Sequence, residues 1–72
     1  MKRFEIQERI NGEWKTQEIV EADSAKDALV KLLVSRYDEA ELEKFSDGTI
    51  AYWVKETHKD PWKMIRAVEA NN

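Results

Sequence analysis

Between Ser24 and Tyr37 the apolar residues Ala25, Ala28, Leu29, Leu32, Leu33 and Tyr37 recur at the three-and-four spacing of one helix face. Ser24 supplies an oxygen for an N-cap. Asp27 in the first turn suits the positive end of the helix dipole, as Arg36 suits the negative end. The pattern predicts a helix here. Val30 and Val34 widen its apolar arc, which predicts a helix lying across a sheet with both valines in the core.

On either side of this stretch the period drops to two. Residues 3–10 place Phe4, Ile6 and Ile10 on one side and Arg3, Glu5, Gln7 and Arg9 on the other, the pattern of a half-buried strand. Asn11-Gly12 then marks a hairpin, because both residues tolerate positive φ. A strict two-residue loop sets Ile19 opposite Phe4; a three-residue loop with a bulge brings Trp14 and Val20 to the face of Phe4 and Ile10. The second arrangement buries more apolar surface and is the one expected. The partner strand runs from about Trp14 to Ala22.

The segment from Asp38 to Phe45 satisfies two patterns. Its helix propensity is good, yet Ala40 and Leu42 alternate with Glu39, Glu41 and Glu43, and Asp47-Gly48 signals a turn directing the chain back along it. A short edge strand is favoured, its glutamates discouraging edge-to-edge aggregation. A two-residue turn would set Phe45 opposite Ile50 and Leu42 opposite Trp53. Thr49 to Thr57 is the clearest strand, with Ile50, Tyr52 and Val54 facing one way and Ala51, Trp53 and Lys55 the other. His58 to Pro61 reads as a turn. Trp62 to Ala70 is a last strand, with Trp62, Met64 and Val68 on one face and Ile65 on the other, and Asn71-Asn72 frays.

The fold class is therefore α+β: one helix on a mainly antiparallel four- or five-stranded sheet, β-β-α-β-β-β, or β-β-α-β-β were the acidic segment helical. Strand order is not legible in the sequence, and a ubiquitin-like arrangement is compatible with it. A chain of 72 residues is a single small domain, residues 1–72, and without cysteine it has no disulfide to staple its core. No apolar run approaches the roughly 20 residues of a membrane-spanning helix. A soluble, cytoplasmic protein is expected. The net charge of −3 argues against non-specific nucleic-acid binding.

Chemistry is sparse. The lone histidine, His58, lies beside Lys59 and Asp60 in a turn, where such residues are ordinarily solvated, and both glycines belong to turns. A straight row of Glu39, Glu41 and Glu43 does not converge oxygens on a cation as a curved loop does. No catalytic residue, metal site or cofactor is expected. The expectation is a non-enzymatic protein. The feature with functional content is the sheet face turned away from the helix, where Trp53, Ile65 and Leu42 are expected with Lys55 and Lys63 beside them. Contiguous exposed aromatic surface of this kind marks interaction sites. The reading is a protein–protein interaction module whose partner the sequence does not identify. The alternative is a nucleic-acid-binding sheet that stacks bases on those aromatics.

The N-terminal hairpin, the helix start Glu-Ala-Asp-Ser-Ala-Lys-Asp-Ala (Glu21 to Ala28) and the tryptophan-bearing C-terminal hairpin together form a layout. It resembles small phage-encoded inhibitors of host defence, some anti-CRISPR proteins among them. The resemblance covers the whole chain as a pattern and transfers no functional residue. It implies a non-enzymatic protein that binds and blocks a larger host complex.

Overall fold

The computed structural model describes residues 1–70; the expected fraying of Asn71-Asn72 falls outside them. Its elements follow the order β1 (Lys2–Ile10), β2 (Glu13–Ala22), α1 (Ala25–Arg36), β3 (Glu39–Lys44), β4 (Ile50–Lys55) and β5 (Lys63–Glu69). The acidic segment is a strand, and the expected class, one helix on a five-stranded antiparallel sheet, is what forms.

The spatial order is β2-β1-β5-β4-β3. Every pairing is antiparallel, including the central β1–β5 pair. A ubiquitin-like arrangement, whose central pair runs parallel, is not adopted. The helix carries the chain from one edge strand to the other. At about 1.5 Å per residue its twelve residues span roughly 18 Å, close to the width of five strands spaced about 4.8 Å apart.

Ser24 caps α1: its Oγ accepts the Asp27 amide at 3.1 Å and its carbonyl accepts the Ala28 amide at 3.0 Å. Ala28, Leu29 and Leu32 are buried. They split between two packing groups. Phe4, Ile6, Ala22, Ala28 and Leu32 form one, and Leu29, Val54 and Ile65 the other, with Tyr37 and Ala67 touching both. The expectation that Val30 and Val34 lie in the core is corrected: Val34 is 82% exposed and Val30 faces outward too. A twelve-residue helix on a sheet buries one stripe, and α1 packs mainly on β5, β2 and β1, reaching β4 through Leu29 against Val54.

The first hairpin keeps part of its expected register and loses part. Asn11 and Gly12 both adopt positive φ (51° and 82°), and Ile10 pairs with Glu13, so the loop has two residues rather than three. The bulge sits farther along, where Gln17 is the extra residue: Ile6 pairs with Glu18 but Gln7 with Thr16. That inserted residue reverses parity within β2. Val20 faces Phe4 as expected, while Trp14 faces Arg9 on the opposite side of the sheet instead of joining Ile10.

The β3–β4 register also shifts by one. Phe45 donates to the Thr49 carbonyl at 2.9 Å, the Gly48 amide to the Phe45 carbonyl at 3.0 Å, and Gly48 takes φ 92°. The turn thus spans Ser46-Asp47-Gly48, and Asp47 Oδ1 fixes it by accepting the Thr49 amide at 2.9 Å. Lys44 consequently pairs with Ile50, Leu42 with Tyr52, and Glu41 with Trp53.

Candidate functional site

Strand alternation and these registers decide what occupies the face that α1 leaves bare. Directly paired residues share a side, so Trp53 and Met64 lie together on it, as do Trp14 with Arg9 and Gln7 with Arg66. Phe45, Trp53, Trp62 and Met64 line a cleft of about 680 Å³ there, which Glu8, Arg9, Ile10 and Lys63 also border. Met64 is only 8% exposed and Ala51 is fully buried, although no helix covers either. The aromatic side chains therefore shield a small second core and at the same time form a surface.

Cations stack on that surface. The Arg66 guanidinium lies 4.2 Å from the centre of the Trp14 ring and that of Arg9 lies 5.3 Å from it. Lys55 Nζ stands 4.7 Å from the Trp62 ring. Gln7 Oε1 orients Arg66 by accepting from its Nε at 2.8 Å. Burial and the Arg9 cation push the Arg66 guanidinium below its ordinary value, with Asp47 acting the other way. Glu39, Glu41 and Glu43 stand on the same side, opposite Lys55, Trp53 and Ala51. The face is thus aromatic at the centre, basic toward β1 and β5, and acidic along β3.

Of the expected site residues, Trp53 and Lys55 are on this face. Ile65 and Leu42 are not, and Lys63 belongs by register to the helix side yet borders the cleft. Ile65 is 1% exposed and packs with Leu29 and Val54 beneath the helix. Lys63 pairs with Val54 on the helix side, where its Nζ contacts Glu56 at 3.4 Å; burial pulls that ammonium down and Glu56 more than offsets it, leaving it raised. Leu42 pairs with Tyr52, also on the helix side, and is 51% exposed. Two registers explain these errors. The seven residues from Glu56 to Trp62 between β4 and β5 carry no turn signal that fixes pairing, so the sequence does not determine which face of β5 meets the helix. The three-residue turn after Phe45 moved Leu42 by one position.

Trp14, Phe45, Trp62, Met64, Arg9 and Arg66 complete the face and are not among the residues that the sequence predicts for it. The signal for Met64 and Trp62 was present in their shared parity, which needed only the opposite face. His58 is exposed. Asp60 beside it has Oδ2 accepting the Thr57 amide at 3.1 Å, which gives this carboxylate a turn-forming role. Among the described residues, no three of the acidic or histidine side chains gather to hold a metal ion, and no helix is long and apolar enough to cross a membrane.

Comparison of the chain with protein-family models, with curated proteins and with solved structures finds no match in any of the three.

Proposed function

We propose that this domain is a non-enzymatic binding module and that its helix-free face seats a protein partner. The observation that carries the reading is the cleft of about 680 Å³ walled by Phe45, Trp53, Trp62 and Met64 with Arg9 bordering it. Tryptophan and arginine in a concave, partly desolvated setting are the residue types in which binding energy concentrates. Trp62 and Phe45 are 39% and 38% exposed, so both have surface left to bury against a partner. The layout's resemblance to phage-encoded inhibitors would make that partner a larger host complex whose action the domain blocks.

The test is affinity capture from host lysate with the wild-type chain and with Trp62→Ala and Phe45→Ala. A partner bound by the wild type and weakened at least tenfold by either substitution, with melting unchanged, supports the reading. Reproducible turnover of a substrate, abolished by changing one polar side chain, overturns it.

A second reading has one observation in its favour: Arg9, Arg66 and Lys55 are interleaved with Trp14 and Trp62, as on sheets that stack single-stranded nucleic acid. Against it, the three β3 glutamates border the same face. Binding of an oligonucleotide at low salt, falling steeply as salt rises, would favour this reading over the first.

A further inference from the structure

We propose that the free edge of β3 accepts an extended strand from a partner in which lysine or arginine alternates with aliphatic residues. This surface is independent of the aromatic cleft. The two edges of the sheet are β2 and β3, and they differ in what they offer. β2 is interrupted by the Gln17 bulge, and the Gln17 side-chain amide donates to the Lys15 carbonyl at 3.4 Å. A bulged edge does not template another strand. β3 pairs with β4 in unbroken register from Glu39 to Lys44.

The Phe45 amide points inward to Thr49. Alternation in an antiparallel ladder then turns the backbone N–H and C=O groups of Lys44, Leu42 and Ala40 outward. These are the groups an added strand would bond.

The two sides of β3 specify what that strand must carry. On the helix-free side Glu39, Glu41 and Glu43 form a row, and among the described residues none of the three sits in an ion pair. On the other side Leu42, Ile50 and Tyr52 line a groove of about 710 Å³ that runs to Ala25 and Leu29 of α1. It is open because α1 packs mainly on β5, β2 and β1 and reaches β4 only through the Leu29–Val54 cluster, leaving Leu42 and Ile50 uncovered. Leu42 and Ile50 are about half exposed there. A strand alternating cationic and aliphatic side chains would set its cations opposite the glutamates and its aliphatics beside Leu42. A second copy of β3 would instead oppose glutamate to glutamate along the whole pairing, which disfavours self-association by this edge.

The probe is an acetylated, amidated nonapeptide alternating lysine with valine or isoleucine, read by amide hydrogen exchange and by titration. The expected result is saturable binding with at least tenfold slower exchange at Ala40, Leu42 and Lys44. A peptide of the same composition with its lysines in one block should bind at least tenfold more weakly. Reversing charge with Glu41→Lys and Glu43→Lys should transfer the preference to the glutamate version of the peptide. Should that variant not fold, Glu41→Gln with Glu43→Gln should lower affinity for the basic peptide at least fivefold. Absence of binding, binding without slowed exchange at those amides, or protection of the same amides by concentration-dependent self-association would each overturn the proposal.

Discussion

The Arg66 guanidinium stacks 4.2 Å from the centre of the Trp14 ring, joining β5 to β2 across the intervening β1. Gln7 of that middle strand fixes the guanidinium through a 2.8 Å hydrogen bond. The helix is on the other side of the sheet, so this stack ties two non-adjacent strands on the open face without help from α1. Both residues are partly buried, which raises a cation–π contact above its fully exposed value. A double-mutant cycle with Trp14→Leu and Arg66→Leu should return a coupling of about 1 kcal/mol in urea unfolding. A coupling within about 0.3 kcal/mol of zero would mean the stack contributes nothing to stability.

Leu32 and Val34 occupy the same helix with opposite fates, one 6% and the other 82% exposed. Leu32→Ala removes packing against Phe4, Ile6 and Ala28 and should cost about 2–5 kcal/mol. In so small a domain that is enough to abolish cooperative melting. Val34→Ala should change stability by no more than about 0.5 kcal/mol, the range of an ordinary surface change. Thermal unfolding of the two variants side by side checks the assignment. A comparable loss from both would show that the valine face is buried.

Gln17 is the residue that lets one strand serve two faces. Before it Trp14 and Thr16 point to the open face; after it Val20 and Ala22 point to the core. Deleting Gln17 would restore strict alternation and turn one of these sets to the wrong side. The expected outcome is loss of cooperative folding, seen by circular dichroism. Gln17→Ser, which keeps the extra residue, should stay within about 0.5 kcal/mol of wild type. A deletion variant that melts like wild type would show that the bulge does not set the faces.

The phenol of Tyr37 packs against both halves of the core, and burial raises its pKa, with Arg36 acting the other way and burial prevailing. A raised value means that the folded state favours the neutral phenol. Its contribution is therefore complete below the unfolded value of about 10 and is lost as pH climbs through the higher folded value. Midpoints of urea unfolding should fall above about pH 10 more steeply in the wild type than in Tyr37→Phe. Parallel curves for the two proteins would remove Tyr37 as the cause.

What the sequence made legible was whatever rests on local physics. The helix, its Ser24 cap and its Leu29–Leu32 stripe follow from spacing and capping, and each strand follows from alternation between turn residues. Faces were harder, because a face depends on register, and register depends on turns. Trp53 was placed correctly since Tyr52 and Val54 beside it form the larger apolar set. Ile65 was not, since the connection before β5 gives no count of paired residues. A bulge that brings Val20 to Phe4 is expected from the apolar pattern, but its place at Gln17 rather than at the loop is not legible, because it leaves no composition signal of its own.

Trp53 and Trp62 share the cleft and should separate its two roles. Trp53 is flanked across the ladder by Met64 and Glu41 and helps cover a methionine that is 8% exposed. Replacing it with alanine opens a cavity over Met64 and Ala51. Trp53→Ala should accordingly cost about 3 kcal/mol and lower the melting temperature by ten degrees or more. Trp62 sits just before β5, is 39% exposed, borders the cleft, and has Lys55 Nζ 4.7 Å from its ring. An exposed cation–π contact contributes about 0.5–1 kcal/mol, so Trp62→Ala should melt within a few degrees of wild type. Its effect should fall on partner binding, by about 2 kcal/mol or more where this cleft is the hot spot. Measuring stability and affinity on both variants distinguishes the roles. A Trp62→Ala protein that melts and binds like wild type would move the binding surface away from this cleft.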